Sequence, residues 1–378
     1  MQTFSKAKLR SDKLVSAHNR CAFERRRALI PVALTGLLAL AGCGGGGGGG
    51  GPASTMTPVA YTYPSSLSSA TSSDTVNGFM SPYALDPTAP QMDSVLPVVS
   101  GTTPTPGQIA ITVTDIPLPN NAGTEPGFVV TFGYTGTGGT TLLNSPLDSL
   151  GCSGCLKTET AQATRLSDGT IEADRVSFTY LDVTSPSFPL NYSTLGLWTK
   201  PSAVSPTWPE VGGAFSAGVL SRGVDLPTTG TAAYNGYFIG RYVTSTPFPA
   251  VGTYVVGANA NAQVDFSGAG AVTFSTSYTH ISKELSGGGL GSPQQVLGLD
   301  LSSAPMTISR TTMSNSFAGG AGTLTNAFGM GANGQIAGAF YGPPASTAPY
   351  APPEMGGSLA VSNPTNTQSM VGSFALKH

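Results

Sequence analysis

The chain has 378 residues and a formal net charge of −2, and only 10% of its residues are charged. Eight of the 17 basic residues lie in the first 42 positions and no Arg/Lys cluster follows residue 27, which excludes nucleic acid as a partner because a phosphate backbone needs a basic surface. The 50 glycines and 30 prolines, set among many Thr, Ser, Val and aromatic residues, are typical of an exported β-protein.

Residues 1–42 have the order of a secretory signal. Three consecutive arginines at 25–27 precede an apolar stretch that ends in Leu-Ala-Gly immediately before Cys43. The stretch is shorter than the roughly 20 residues that a bilayer span needs. The Leu-Ala-Gly-Cys end resembles the lipobox of bacterial lipoproteins, which implies cleavage before Cys43 and acylation of that cysteine. An unmodified cysteine after an ordinary signal peptide is the alternative.

Residues 43–105 are predicted to form a tether. Removal of the signal leaves nine basic and 17 acidic residues, a net charge of −8. The next sixty or so residues are mainly Gly, Ser, Thr, Pro and Ala, with few apolar residues spaced to form a face. A flexible coil of that length spans roughly 40 Å, which would lift a folded domain clear of lipid headgroups.

Short β-type runs separated by Gly, Pro, Asn or Asp turns follow the tether. The runs before residue 226 are 108–113, 127–134, 175–181, 194–199 and 213–220. The later runs are 233–243, 262–267, 272–279, 295–301, 306–309, 322–328, 335–341, 354–361 and 370–376. The later group favours a closed antiparallel barrel, because closure removes exposed edges. Phe238 and Phe340 alternate with Gly or Ala, as a small filled barrel requires.

Three segments near the C-terminus carry a family resemblance. They read GAFYGP at 338–343, EMGGSL at 354–359 and GSF at 372–374. Together with LPTTGTAAYNG at 226–236 and VDF at 264–266, they resemble in order and spacing the β-barrel of transferrin-binding-protein-like surface lipoproteins. Members of this family are non-enzymatic surface lipoproteins of Gram-negative bacteria that bind host proteins or haem.

The resemblance implies an all-β fold in which a β-rich handle domain at 106–225 precedes a small, roughly eight-stranded antiparallel barrel at 226–378. In the handle region, LGLW at 195–198 and GGAFS at 212–216 are similar to the family. The Phe-Tyr-Gly-Pro signature occurs once, which corresponds to a single handle-plus-barrel lobe.

The function implied by the resemblance is that of an outer-membrane lipoprotein, lipid-anchored and displayed at the cell surface. It would bind a host protein or a haem-carrying ligand for nutrient acquisition or immune evasion, with no resident cofactor or metal and with an outer-membrane exporter or transporter as a further partner. A structural or adhesive surface lipoprotein without a soluble ligand is the alternative. A periplasm-facing redox lipoprotein that uses Cys152 and Cys155 is a third interpretation.

Cys152 and Cys155 have the Cys-x-x-Cys spacing of redox motifs. Thioredoxin-type chemistry needs this motif at the start of a helix packed on a βαβ unit, and the sequence indicates neither. A structural disulfide in a small loop is favoured for an exported chain. Zinc is disfavoured because few histidines remain as ligands.

Two tryptophans and one insertion are candidate ligand contacts. Trp208, between Pro206 and Pro209, is the better candidate for a surface contact, whereas Trp198 follows an apolar run and is expected in the core. The Pro-rich insertion at 345–353 lengthens a turn that is expected to protrude.

His280, next to Thr279 and close to Tyr278, has two interpretations: an axial haem ligand, or a solvated strand residue, which is favoured. The acidic residues Asp168, Glu172 and Asp174 lack the regular spacing of a calcium loop and are expected in a solvated turn. The mature sequence contains no Gly-x-Ser-x-Gly, no His-Glu-x-x-His and no phosphate-binding loop, so no catalytic residue is assigned.

Overall fold

The computed structural model describes much of the chain from residue 62 onward. The described ranges are 62–63, 67, 76–85, 92–94, 98–99, 108–117, 124–136, 139–147, 156–165, 171–181, 190–200, 210–246, 250–285, 290–312, 315–346 and 350–378. Within these ranges the regular structure is antiparallel β-strand with a few short 3-10 turns. The all-β class predicted from the sequence is therefore confirmed.

The first sheet closes on itself. Its strands are β1 (Val76–Leu85), β2 (Met92–Ser94), β3 (Val98–Val99), β4 (Gln108–Pro117), β5 (Thr124–Gly136), β6 (Gly139–Leu147), β7 (Leu156–Arg165), β8 (Ile171–Leu181), β9 (Ser193–Lys200) and β10 (Glu210–Val219). Strands β4 to β10 pair in chain order, and β1 closes the ring by pairing with β10 on one edge and with β4 on the other. The short β2 and β3 also pair with β1.

The second sheet is the predicted barrel. Its strands are β11 (Thr231–Thr244), β12 (Gly252–Asp265), β13 (Ala271–Lys283), β14 (Gln294–Gln295), β15 (Ser302–Ser303), β16 (Met306–Arg310), β17 (Asn315–Gly319), β18 (Leu324–Thr325), β19 (Gln335–Tyr341), β20 (Glu354–Ser362) and β21 (Gln368–Lys377). Eight of them close a ring in the order β12, β11, β21, β20, β19, β17, β16 and β13, and β12 then pairs with β13. This ring confirms the expected antiparallel barrel of about eight strands.

Aromatic side chains fill the barrel. The rings that lie in its core are those of Tyr234, Phe238, Tyr242, Tyr254, Phe266, Phe274, Phe317, Phe340 and Phe374. The Phe340 ring lies within about 6 Å of the rings of Tyr234, Phe266 and Phe317. A side chain at Gly372 would overlap the Phe238 ring. The alternation of large and small residues around Phe238 and Phe340 therefore fills the interior, as predicted.

Two of the expected barrel strands differ from the structure. The run at 295–301 contains a 3-10 turn at Leu297–Leu299 in place of a continuous strand. The run at 322–328 contains only the two residues of β18, and the barrel strand in that region is β17, which supplies Phe317 to the core. Alternating apolar residues indicated a strand at 322–328, but glycines on both sides fold that segment into turns. Strands β6 and β7 of the first sheet were also not predicted.

The expectation of a flexible tether reaching residue 105 is corrected by β1. Its ten residues all pair with β10. Phe79 and Tyr83 pack against the barrel, and Met80 accepts a hydrogen bond from the indole of Trp198 at 3.1 Å. Few apolar residues indicated a strand here because β1 mixes them with Gly, Ser and Pro, yet its described large side chains, Phe79, Met80 and Tyr83, are all buried.

Residues closer to the N-terminus also make fixed contacts. The Tyr63 hydroxyl donates a hydrogen bond to Asp225 at 2.7 Å and accepts one from the backbone N–H of Arg222 at 2.8 Å. Burial raises the pKa of Tyr63 to about 12. Leu67 is buried, and its N–H donates to the carbonyl of Asn191. Tyr63 and Leu67, which lie within the segment expected to be a tether, therefore both contact the rest of the protein.

Small residues on the outer face of the barrel allow the first sheet to pack closely. The outward residues of β20 and β21 include Gly356, Ser358, Ala360, Ser373 and Ala375, and all are buried. A side chain at Gly356 would overlap the Ser216 hydroxyl on β10, and the Ser373 hydroxyl donates to the Gly196 carbonyl on β9 at 3.1 Å. The two sheets therefore pack through close backbone approach.

Glu354 is a buried carboxylate in this interface. It is 2% exposed and accepts hydrogen bonds from the backbone N–H groups of Asn191 and Tyr192 and from the Ser193 hydroxyl. Burial raises the pKa of the Glu354 carboxyl, and the hydrogen bonds oppose that shift. The first residue of β20 thus binds the segment that leads into β9.

Replacement of Glu354 tests this contact. We expect Glu354→Ala to lower the free energy of unfolding by about 1–3 kcal/mol, because three donors, among them the buried Ser193 hydroxyl, lose their acceptor. The free energy of unfolding of Glu354→Gln should lie between those of the wild type and Glu354→Ala, since glutamine keeps one acceptor oxygen. The raised pKa means that Glu354 binds its proton more tightly in the native state than in the unfolded state. The contribution of Glu354 to the free energy of unfolding should therefore increase as pH falls through that pKa, and the Glu354→Gln variant should lose this pH dependence. Urea unfolding across a pH series measures both effects. Equal stability of Glu354→Ala and wild type would contradict the assignment.

Candidate functional site

The outer surface of the barrel is divided between a covered and an exposed part. The first sheet covers the outward residues of β19, β20, β21 and the second half of β11, where Ile239 and Val243 are buried. The first half of β11 and the outward residues of β12 and β13 are exposed or partly exposed. Because aromatic rings fill the barrel interior, this exposed part and the loops are the described surfaces of the barrel that a ligand could reach.

Nine outward side chains on β11, β12 and β13 form a regular surface that we name the polar platform. In cross-strand register its three rows are Ala233, Gln263 and Thr273; Asn235, Asn261 and Ser275; and Tyr237, Asn259 and Ser277. At ordinary strand spacing the platform is about 10 Å wide and about 13 Å long. None of the nine side chains is charged, eight can form hydrogen bonds, and Tyr237 supplies an aromatic ring that is 42% exposed.

A bulge in β13 places a second tyrosine beside the platform. The register between β12 and β13 shifts so that Gly257 is opposite His280, whereas Asn259 is opposite Ser277. Tyr278 lies in the bulge with φ of 55°, a left-handed conformation that is uncommon for a bulky residue. Its side chain is 61% exposed, next to Gly257, whose missing side chain leaves open space.

Thr279 holds this distortion in place. It is 1% exposed, and its backbone N–H and hydroxyl both donate to Asp300, at 3.0 and 2.6 Å. Its carbonyl accepts the N–H of Val296 at 2.8 Å. Thr279 therefore points inward and is tied to the 3-10 turn at Leu297–Leu299, which leaves Tyr278 directed outward.

Exposed aliphatic side chains concentrate at one end of the barrel. Four of the eight large apolar side chains that are exposed in the described ranges form a group that we name the apolar strip: Val251, Leu285, Leu290 and Leu297, at 48 to 62% exposure. Backbone hydrogen bonds from Glu284 to Thr253 and from Gly291 to Lys283 join the segments that carry Val251, Leu285 and Leu290. These three residues lie just beyond the paired ends of β12 and β13, and Leu297 lies on the 3-10 turn that is bound to Thr279 of β13.

Arg241 connects the apolar strip with the sheet interface. It is 6% exposed, forms an ion pair with Glu284, donates a hydrogen bond to the hydroxyl of Tyr83, and lies 5.3 Å from the centre of that ring. The ion pair neutralises the carboxylate at the base of the strip. The same guanidinium thereby fixes the extension of β13 to β1 of the first sheet.

The structure places only some of the residues singled out in the sequence. Cys43, Cys152, Cys155, Trp208 and Asp168 lie outside the described residues. Trp198 is buried, as predicted, and its indole contacts Met80. His280 is exposed on β13, as the favoured interpretation required. Glu172 and Asp174 lie on β8, where a turn was expected.

The insertion at 345–353 protrudes less than expected. Ala345 and Tyr350 are exposed, but the backbone N–H of Ala345 donates to the carbonyl of Ala351, which is 2% exposed. The Tyr234 hydroxyl, from the barrel core, donates to the Pro352 carbonyl at 2.8 Å. The second half of the insertion therefore folds back over the barrel.

Sequence reasoning missed the polar platform and Tyr278. Alternation along 231–237 and 259–265 was visible, and the outward positions could have been read as a set without charge. The bulge left no such signal, because Tyr278 lies in an uninterrupted β-type run. Within the described part of the chain, no group of three or more His, Cys, Asp or Glu side chains could hold a metal, and we find no helix with the length and hydropathy needed to cross a membrane.

Comparisons with known proteins give distant likenesses in fold. No protein-family model matches the chain, and no curated protein matches its sequence. Intact Ap-TbpB, with N and C lobes, aligns with 79% of this chain at 13% identity and a TM-score of 0.39. The vaccine antigen transferrin-binding protein B of Haemophilus parasuis Hp5 aligns with 76% at 12% identity and a TM-score of 0.39. The chain covers 46% of each. A protein of unknown function from Nostoc punctiforme gives 10% identity and a TM-score of 0.20, with 80% of this chain and 95% of that one covered.

The strain at Tyr278 is testable by substitution. Tyr278→Gly should leave the free energy of unfolding unchanged or raise it by up to about 1 kcal/mol, because glycine adopts the left-handed conformation without cost. Tyr237→Gly, at an exposed position of regular strand, should lower it by about 1 kcal/mol. Thermal and urea unfolding of both variants make the comparison. Equal losses in the two variants would show that Tyr278 stabilises the barrel and is not strained.

Proposed function

We propose that this chain is a non-enzymatic lipoprotein of the outer membrane, displayed at the cell surface, that binds a host protein. The signal with its Leu-Ala-Gly-Cys43 end supports the anchor, and the ordered segments at 338–343, 354–359 and 372–374 support the surface-lipoprotein class. An outer-membrane exporter or transporter is its proposed partner in the membrane. A haem-carrying ligand is the other proposed cargo.

The observation that carries the proposal is the distribution of apolar side chains. The barrel interior is filled, whereas the apolar strip exposes four aliphatic side chains at the ends of β12 and β13 and on the neighbouring 3-10 turn. Apolar residues grouped on a surface in this way are typical of protein interfaces, in which a few central side chains supply most of the binding energy. The Arg241–Glu284 ion pair pre-orders the extension, which lowers the entropy lost on binding.

The anchor is tested by the cysteine itself. Cys43→Ser should abolish incorporation of labelled fatty acid and release the protein from the membrane fraction, because more than one acyl chain is needed for stable attachment. Cys155→Ser is the matched control and should remain acylated. Protease treatment of intact cells should remove the wild-type protein, and protection until the cells are permeabilised would contradict surface display.

The cysteine pair is proposed to form a disulfide. In the same preparations, Cys152 and Cys155 should react with a thiol reagent only after reduction. Labelling without reductant would instead favour the redox interpretation.

Ligand binding is tested at the apolar strip. The acylated full-length protein is used to capture host serum proteins, and each captured protein is then purified and titrated by calorimetry, with haemin titrated in parallel. The double variant Leu285→Ser, Leu290→Ser should weaken saturable one-to-one binding by about tenfold or more. Val224→Ser, at an equally exposed site near the start of the barrel, is the control and should bind normally. Saturable binding that is equal in all three proteins would place the contact elsewhere, and no saturable ligand would favour an adhesive or structural role.

A further inference from the structure

We propose that the polar platform, together with Tyr278, binds a neutral oligosaccharide. This inference goes beyond the proposed protein-binding role and concerns a different surface from the apolar strip. It starts from an unusual property of the barrel surface, which is its lack of charge.

The barrel carries very few charges, and most of them are already engaged. Between residues 226 and 378 there are four acidic and four basic side chains. Hydrogen bonds or ion pairs within the protein engage at least these side chains: Arg241, Asp265, Glu284, Asp300, Arg310 and Glu354. Exposed sheets usually carry Lys or Glu, which keep the protein soluble and discourage association. The nine side chains of the platform include neither, and the nearest charge in register is the exposed carboxylate of Asp265, one row beyond Gln263, which disfavours an anionic ligand.

The chemistry of the platform matches hydroxyl groups. Asn235, Asn259, Asn261 and Gln263 each carry an amide that donates and accepts hydrogen bonds at once, and the Ser and Thr hydroxyls at the β13 edge do the same. A sugar hydroxyl is likewise both donor and acceptor. Short side chains on a rigid sheet also lose little rotamer entropy when a ligand binds.

Two aromatic rings frame this surface. Tyr237 on β11 and Tyr278 on β13 lie two strands apart, about 10 Å at ordinary strand spacing. Both rings are exposed, at 42% and 61%. Aromatic faces pack against the C–H face of a sugar ring, while the amides between them bind its hydroxyls. Gly257, opposite His280 at the register shift, adds no side chain of its own to this part of the surface.

A protein partner fits the platform less well. Protein interfaces have an apolar centre, whereas the centre of the platform is Asn261. Addition of an extended peptide to the sheet is also blocked here, because the backbone of β12 is paired on both edges, with β11 and with β13. The flat, uncharged and hydrogen-bonding surface therefore favours a carbohydrate.

The test uses the full-length lipoprotein extracted in a sugar-free detergent. Cellohexaose, maltohexaose and chitohexaose are the neutral probes, and a heparin hexasaccharide is the anionic comparison, all titrated by calorimetry. We expect saturable binding of at least one neutral probe and none of the heparin fragment. Tyr278→Asn, which keeps the left-handed backbone, and Tyr237→Ser should each weaken it by about tenfold or more.

Tyr350→Asn is the matched control, because Tyr350 is also left-handed, with φ of 59°, and is 53% exposed, away from the platform. It should bind the probe as wild type does. Absence of binding to all three neutral probes, preference for heparin, or equal binding by the Tyr278 and Tyr350 variants would overturn the proposal. So would sedimentation that shows a dimer lost in Tyr237→Ser, since a second copy would then occupy the platform. The Leu285→Ser, Leu290→Ser protein should keep its sugar binding, which separates this result from that of the proposed function.

Discussion

Closure of the barrel around aromatic rings is the constraint on which the other features depend. Nine Phe and Tyr rings occupy the interior, and glycines such as Gly372 leave the space that those rings need. A barrel packed in this way is rigid because its interior side chains interdigitate. Its strands consequently present fixed outward rows, which either meet the first sheet or face solvent. Function is thereby shifted from the interior to the surface.

The covered and the exposed halves of the barrel surface differ in their side chains. Where the first sheet packs, the outward residues are small. One buried carboxylate, Glu354, accepts hydrogen bonds there from three donors in the segment that leads into β9. Where the barrel faces solvent, the outward residues are Asn, Gln, Ser, Thr and Tyr in register. The interface excludes water through close backbone approach, whereas the exposed half keeps hydrogen-bonding groups accessible. The outward residues of strand β11 are exposed in its first half and buried in its second half.

The sequence predicted the fold class and most barrel strands, because alternation and Gly-rich turns are local signals. Phe238 and Phe340 were assigned correctly to a filled interior for that reason. The sequence did not predict those segments whose structure depends on residues far away along the chain. Strand β1 has weak local preference and forms because it pairs with β10 and because the barrel buries Phe79 and Tyr83. The exposed position of Tyr278 likewise depends on Asp300, more than twenty residues away, which binds Thr279. The residue pattern of a single predicted strand contains no signal for a contact of this kind.

The strain at Tyr278 is best understood together with the surface around it. A left-handed tyrosine costs energy that glycine or asparagine would avoid, so its retention calls for a gain made elsewhere. Thr279 and Asp300 explain how the bulge is held, but they would hold any residue at 278 equally well. What the tyrosine adds is an exposed ring beside a row of uncharged amides and next to the open space at Gly257. That exposed ring lies outside the aromatic core of the barrel, and packing of the core does not account for it.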